Sequence, residues 1–133
     1  MDGSVIAADT NLLVRLITRD DPRLAERSES VLASGAYISP TVLLETAWVL
    51  AYSYSIGRAA LAEALEGVLD MPSIQVADES AIRWALSRYR DGADIADMVH
   101  LTQAGRAEVF VTFDRGVARQ AGPDAPLRIE TLR

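Results

Sequence analysis

The sequence predicts an α/β fold in which helices flank a mostly parallel β-sheet, and three observations support this fold class. Short apolar segments alternate with helical patterns along the chain, as in proteins with parallel sheets. Several helical patterns begin at recognisable caps. The 133 residues, of which 50% are hydrophobic, are enough to bury one core. With no linker or internal repeat, residues 1–133 are expected to form a single domain.

Five apolar segments predict the strands. In chain order they cover residues 5–8, 37–38, 73–76, 109–113 and 127–131. The predicted helical segments are an apolar turn or short helix at 12–17, then helices at 22–35, 41–54, 58–71, 79–89, 95–104 and 116–121. Asp21-Pro22 and Ser39-Pro40 each place an N-cap residue before a proline at the first helical position. Asp78 is expected to cap a third helix.

The composition excludes several kinds of chemistry. The formal net charge is −6, all 13 basic residues are arginine, there is no cysteine and there is one histidine. The absence of lysine excludes a Walker phosphate loop and a Schiff base, and the absence of cysteine excludes thiol nucleophiles and disulfides. A single histidine leaves little room for zinc hydrolase or Ser-His chemistry. Catalysis would therefore use carboxylates, hydroxyl groups, arginines or a bound metal.

The N-terminus predicts a cytoplasmic protein without a membrane segment. Met1-Asp2-Gly3-Ser4 places an acidic residue where a signal peptide needs a basic one. No apolar run approaches the roughly 20 residues of a membrane span. The lack of cysteine also suits a reducing compartment.

Two of the predicted strands are followed by an aspartate. Asp9 comes after residues 5–8, and Asp114 comes after residues 109–113. Ligands of parallel sheets bind outside the carboxyl ends of the strands, so both aspartates are expected at one edge of the sheet, where a site would lie. The alternative is that each is only a turn residue or a helix cap.

Glu45 lies in a segment, residues 42–51, that is otherwise apolar on nearly every side. Such a helix is expected to be substantially buried, and a lone carboxylate there would cost several kcal/mol. Glu45 therefore has either a functional role, or an edge position or a salt bridge to an arginine. Three nearby aromatic residues, Trp48, Tyr52 and Tyr54, are expected either to contact a partner or to be ordinary core or surface residues.

Asp94 and Asp97 stand three residues apart at the start of a predicted helix, so they share one face. The positive end of the helix dipole favours acidic residues at this position, which explains one of them without a function. Two carboxylates on one face repel each other unless a positive group lies between them. His100, one turn further on, is expected to be a packing or solvent-facing residue more than a ligand.

Together, these acidic residues predict a metal site. Four or five carboxylates from separate segments are expected to converge at one edge of the sheet, and the chain has no lysine to neutralise them. Hard divalent cations prefer all-oxygen sites of this kind. A pair of Mg²⁺ or Mn²⁺ ions held by carboxylates is an arrangement that hydrolyses phosphodiesters.

Four segments carry a resemblance to a known family. They are Ala8-Asp9-Thr10-Asn11-Leu12-Leu13, Leu44-Glu45, Gly92-Ala93-Asp94-Ile95-Ala96-Asp97-Met98-Val99 and Val111-Thr112-Phe113-Asp114-Arg115-Gly116. In this order and at these separations, they resemble the PIN-domain ribonucleases, most closely the VapC toxins of bacterial and archaeal toxin–antitoxin pairs. The resemblance covers essentially the whole chain. It implies a PIN-like three-layer fold with a mostly parallel central β-sheet flanked by helices.

The resemblance also implies roles for the acidic residues. The family's acidic quartet carries over onto Asp9, Glu45, Asp97 and Asp114, and Asp94 matches an extra acid found in many members. Asp9 and Asp97 would hold the principal metal ion, with Asp94 close enough to assist. Glu45 and Asp114 would either bind a second ion or orient the attacking water.

Other residues match the surroundings of those acids. Thr10 or Asn11, and also Thr112, match the polar residues that hold the acids in place. Arg115 is a candidate phosphate contact, and a structural salt bridge is an equal alternative for it.

The activity implied by the resemblance is that of a Mg²⁺- or Mn²⁺-dependent endoribonuclease, which hydrolyses RNA phosphodiester bonds. Its partners would be an RNA substrate, a cognate antitoxin and a second copy of the chain in a homodimer. Two alternatives share the acidic residues. One is a non-toxin PIN nuclease in RNA processing, and the other is a catalytically idle PIN domain that serves as an interaction module.

Overall fold

The computed structural model describes residues 5–133. Residues 1–4, whose acidic residue led to the expectation that the N-terminus is not a signal peptide, lie outside the described part. Within residues 5–133, no helix is long and apolar enough to cross a membrane. The chain forms two compact units, the first ending at Ala77 and the second spanning Asp78–Arg133. The assignment of residues 1–133 to a single domain stays a prediction.

The first unit contains a three-stranded parallel sheet and four helices. Its elements are β1 (Ile6–Ala7), α1 (Thr10–Thr18), α2 (Pro22–Ala33), β2 (Ala36–Tyr37), α3 (Pro40–Tyr52), α4 (Arg58–Leu69) and β3 (Ile74–Gln75). The strands lie in the order β1-β2-β3, with Ile6 opposite Ala36 and Ala36 opposite Ile74. Leucine is the commonest residue of the buried core, and each buried leucine contributes about 1.5–3 kcal/mol; fully buried examples are Leu13, Leu32, Leu50, Leu61 and Leu65.

The second unit contains a two-stranded parallel sheet and three helices. Its elements are α5 (Glu79–Arg90), α6 (Ile95–Thr102), β4 (Val109–Thr112), α7 (Gly116–Ala121) and β5 (Arg128–Thr131). Strands β4 and β5 are paired from Val109 opposite Arg128 to Thr112 opposite Thr131. The largest fully buried side chains of this unit are Ile82, Met98, Leu101 and Val117.

The predicted α/β class with parallel strands is confirmed. The strands were expected to share one sheet, but they pair in two separate sheets. Strands β1 and β4, which precede Asp9 and Asp114, belong to different hydrogen-bonded sheets of the described chain. The pairing therefore does not supply the common edge on which the convergence of these two aspartates was predicted.

The first strand is shorter and more exposed than predicted. Residues 5–8 were expected to form a buried strand, but only Ile6 and Ala7 pair, and the side chain of Ile6 is 43% exposed. Only Ala8 of this segment is buried. Strand β1 lies at the edge of its sheet and pairs on one side only, which accounts for the difference.

The predicted N-caps Asp21 and Ser39, each followed by a proline, are confirmed. The predicted capping bond of Asp78 is absent. The side chain of Asp21 accepts hydrogen bonds from the backbone of α2, and Ser39 accepts one from Val42 N at 3.2 Å. Asp78 precedes α5 with a left-handed backbone (φ 54°) and makes no side-chain capping bond. Four helices, α2, α3, α4 and α6, end two residues before their predicted ends, at Ala33, Tyr52, Leu69 and Thr102. Terminal turns have few intrahelical hydrogen bonds, so their length depends on the residues that come next in the chain.

Candidate functional site

Asp9 is the N-cap of α1 and is exposed to solvent. Its Oδ1 accepts a hydrogen bond of 2.8 Å from Thr10 N, with an extended backbone at Asp9. The capping role considered for this aspartate is therefore confirmed. Because only one carboxylate oxygen makes this bond, the other is still available to a ligand, and capping does not exclude metal binding.

Thr10 connects the start of α1 to Glu45 on α3. The Thr10 side chain is buried, and its hydroxyl donates a hydrogen bond to Glu45 Oε1. Helices α1 and α3 pack against each other, which brings residues 35 positions apart in the sequence into contact. In the first unit, the structure thus places Asp9 and Glu45 on either side of one threonine.

Of the alternatives considered for Glu45, the structure supports an edge position, because this residue is exposed. Helix α3 buries one face, which includes Leu43, Ala47 and Leu50. Trp48, 44% exposed, and Tyr52, 82% exposed, lie with Glu45 toward solvent. Trp48 is the aromatic residue that made residues 42–51 look apolar on nearly every side, although it does not belong to the core. Glu45 therefore carries no burial penalty, and its candidacy rests on its contact with Thr10.

The Thr10–Glu45 contact leads to a prediction about stability. Thr10→Val keeps the shape of the buried side chain but removes the donor, so we expect it to lower the free energy of unfolding by about 1 kcal/mol. Urea unfolding of Thr10→Val, Glu45→Ala and the double variant measures the coupling between the two residues. Strictly additive effects would show that the hydrogen bond does not contribute to stability.

In the second unit, Asp94 is the N-cap of α6, and Asp97 lies in the first turn of that helix. Asp94 Oδ2 accepts a hydrogen bond of 2.9 Å from Asp97 N. Asp94 N donates to Gln120 Oε1 at 3.1 Å, which ties this helix start to α7. The Asp97 side chain is half-buried and accepts no hydrogen bond within residues 5–133. Of the candidate acids of this unit, Asp97 is therefore the one whose side chain accepts no hydrogen bond within residues 5–133.

Asp114 follows β4 and is held by its own turn. Asp114 N donates a hydrogen bond of 3.0 Å to Thr112 Oγ1, and Asp114 Oδ1 accepts one of 2.8 Å from Gly116 N. A Cβ at Gly116 would lie 3.2 Å from that same oxygen. The predicted supporting residue Thr112 thus contacts the backbone of the acid that it was expected to position.

The carboxylates of the second unit interact with one another. Burial and the negative charges of Asp94 and Asp114 raise the pKa of Asp97 above its ordinary value, and His100 acts in the opposite direction. Since charge–charge interactions fall off with distance, these side chains lie close enough to repel one another. Three of the predicted site residues thus influence one another electrostatically within one unit, and the negative charge is in excess at Asp97.

The chemical type of these side chains suits a divalent cation, but their arrangement within residues 5–133 does not form a metal site. All the candidate ligands are carboxylates, the donors that hard cations prefer, and the charge at Asp97 is one that a cation would neutralise. Nevertheless, in the part of the chain that the structure describes, no group of three or more His, Asp or Glu residues is arranged to hold a metal ion. Metal binding therefore stays a prediction.

Two further predicted residues have different surroundings. Asn11 is exposed, and its side chain makes no hydrogen bond to residues 5–133, so nothing in its contacts supports a role in holding the acids. Arg115 is exposed and forms no ion pair within the same range, which leaves the salt-bridge alternative without a partner. It lines a pocket with Arg133, which is not among the residues predicted from the sequence. Arg133 could have been found by the same rule, because it follows the end of a strand.

The comparisons with known proteins identify one family. The family model described as PIN domain matches residues 6–123, which is most of the chain. The matched range includes every acidic residue of the candidate site. No curated protein matches the sequence.

Proposed function

The chain belongs to the PIN domain family, whose members are generally nucleases, and from this we propose that it is a Mg²⁺- or Mn²⁺-dependent endoribonuclease. PIN nucleases typically use divalent metals. The reaction is the hydrolysis of RNA phosphodiester bonds. The observation that carries this proposal is the match of the PIN domain family model to residues 6–123, a range that includes all five candidate acids.

Five acidic residues would hold the metal in this proposal: Asp9, Glu45, Asp94, Asp97 and Asp114. When bound, a divalent cation lowers the pKa of a water molecule and offsets negative charge on the phosphate. Asp9 and Asp97 are the proposed principal ligands by resemblance to the PIN-domain ribonucleases, and each has a carboxylate oxygen that accepts no hydrogen bond within residues 5–133.

The remaining residues have positioning roles in the proposal. Thr10 donates to Glu45 and so fixes one carboxylate oxygen, while the exposed carboxylate can still accept a hydrogen bond from an attacking water. Thr112 holds the backbone of Asp114. We assign no supporting contact to Asn11.

The direct test is an RNA cleavage assay with purified protein. We expect wild type to cut single-stranded RNA in Mg²⁺ or Mn²⁺ and not in EDTA, with 5′-phosphate and 3′-hydroxyl products. Metal-independent cleavage, or 2′,3′-cyclic phosphate ends, would show a different mechanism. A complete lack of cleavage across varied RNA pools would favour the catalytically idle interaction module.

The proposal extends to the biological role by resemblance to the VapC toxins. We propose a cytoplasmic toxin that acts as a homodimer and is inhibited by a cognate antitoxin. The exposed Trp48 and Tyr52 on α3 are compatible with a protein partner, because such exposed aromatic residues are enriched at interfaces.

This role leads to a prediction about expression. Production of the protein alone is expected to arrest growth, and co-expression of a small neighbouring gene is expected to relieve the arrest. Growth curves with wild type and with Asp97→Asn measure the effect, since the inactive variant should be harmless. If soluble wild type is harmless in its native host but cleaves RNA in the assay, the non-toxin RNA-processing nuclease becomes the better description.

A further inference from the structure

A pocket of about 510 Å³ lies at the carboxyl end of the β4–β5 sheet. It is lined by Arg115, Thr131, Leu132 and Arg133. Thr131 pairs with Thr112 across the two strands, and Leu132 N donates a hydrogen bond of 2.8 Å to Thr112 O. This pairing holds the segment after β5 beside the end of β4. Two arginines from segments 18 positions apart in the chain therefore line one pocket.

These two arginines are not neutralised by carboxylates of the described chain. Other arginines pair, for example Arg15 with Asp20 at 2.9 Å and Arg88 with Asp91 at 3.4 Å. Arg115 and Arg133 are both exposed and have no ion pair within residues 5–133. The planar guanidinium group matches the oxygens of a phosphate and binds them through paired hydrogen bonds. The pocket is therefore chemically suited to a phosphate group.

The net negative charge of the chain would disfavour binding of a polyanion, but that charge is unevenly distributed between the two units. The net charge of −6 is concentrated in the first unit, which has ten acidic residues and five arginines, a balance of −5. The second unit has nine acidic residues and eight arginines, a balance of −1. Three of those nine acids are Asp94, Asp97 and Asp114. Away from the proposed metal ligands, the second unit is therefore slightly basic.

We propose that the pocket lined by Arg115 and Arg133 binds a backbone phosphate of single-stranded RNA. The proposal rests on the nuclease function above and adds a contact for the substrate strand. Arg115, which lines the pocket, directly follows Asp114 in the chain. The pocket lies at the carboxyl end of parallel strands, where ligands of such sheets bind. Thr131 also lines the pocket and supplies a further hydrogen-bonding group for a phosphate oxygen.

The test is the binding of a fluorescein-labelled single-stranded RNA, measured by fluorescence anisotropy in EDTA so that cleavage does not interfere. Arg115→Gln and Arg133→Gln are expected to raise Kd about fivefold each, and to reduce the slope of log Kd against log salt concentration by about 0.7 per lost phosphate contact. Arg128→Gln is the matched control, because Arg128 lies on β5, is exposed and lines a different pocket. It removes the same charge and is expected to change Kd by less than about twofold.

The outcomes separate this inference from the proposed nuclease function. If wild type cleaves RNA but the Arg115 and Arg133 variants bind like Arg128→Gln, the phosphate pocket is wrong and the nuclease stands. If binding depends on both arginines but wild type cleaves nothing in Mg²⁺ or Mn²⁺, the pocket stands and the nuclease is wrong. If wild type does not bind single-stranded RNA at all, the pocket is wrong. Circular dichroism spectra of the three arginine variants, compared with wild type, show whether each is folded.

Discussion

Asp9→Asn and Asp97→Asn are each expected to lower RNA cleavage by about a hundredfold or more without loss of the fold, as when one electrostatic catalytic element is removed. An amide supplies an oxygen but no negative charge, so it binds a divalent cation poorly. The structural cost is small at both positions. At position 9, asparagine is expected to cap α1 about as well as aspartate does. At position 97, the carboxylate accepts no hydrogen bond within residues 5–133, so none is lost.

The control for this prediction is Asp124→Asn, which makes the same chemical change in an exposed loop of the second unit. It is expected to cleave at the wild-type rate. Retained activity in Asp9→Asn, prepared in parallel to exclude contaminating nuclease, would remove Asp9 from the site. If only Asp97→Asn were inactive, the site would belong to the second unit alone.

The second large effect expected is stabilisation of the protein by metal. Mn²⁺ or Mg²⁺ at about one hundred times its Kd should raise the free energy of unfolding by about 2–3 kcal/mol. Asp97→Asn should stabilise the metal-free protein, because it removes one of three repelling carboxylates, and yet weaken the response to metal. Thermal melts of wild type, Asp97→Asn and Asp114→Asn with Mn²⁺ and with EDTA measure both effects.

The same variant has a pH dependence whose sign is set by the pKa of Asp97. Because this pKa is raised in the folded state, the folded protein binds more protons than the unfolded chain between the ordinary aspartate value and the raised one. Stability from this group therefore falls as pH rises through that window. The advantage of Asp97→Asn in EDTA should be present near neutral pH and absent below the ordinary pKa of aspartate.

The opposite result would identify the acids as ordinary structural residues. Independent caps predict that each replacement costs up to about 1 kcal/mol, with no dependence on metal. Melting temperatures that Mn²⁺ leaves unchanged in all three proteins would therefore refute the shared metal site.

The sequence alone predicted those features of the fold that depend on a few neighbouring residues. The start of α2 at Asp21-Pro22 and that of α3 at Ser39-Pro40 require only hydrogen bonds to the next three residues. The cap at Asp94 and the turn at Asp114 are local in the same way. The α/β class could also be predicted from the sequence, because short apolar runs alternate with helical segments.

Burial and pairing were decided only by the tertiary structure. Glu45 lies in an apolar segment, but whether it is buried depends on which face of α3 meets the rest of the first unit, and that face excludes it. The hydrogen bond from Thr10 to Glu45 and the pocket shared by Arg115 and Arg133 likewise join residues far apart in the chain. No local pattern specifies such contacts, because they arise from the packing of helices and the register of strands. Local hydrogen-bonding chemistry thus determined where the elements begin, and long-range packing determined which side chains meet.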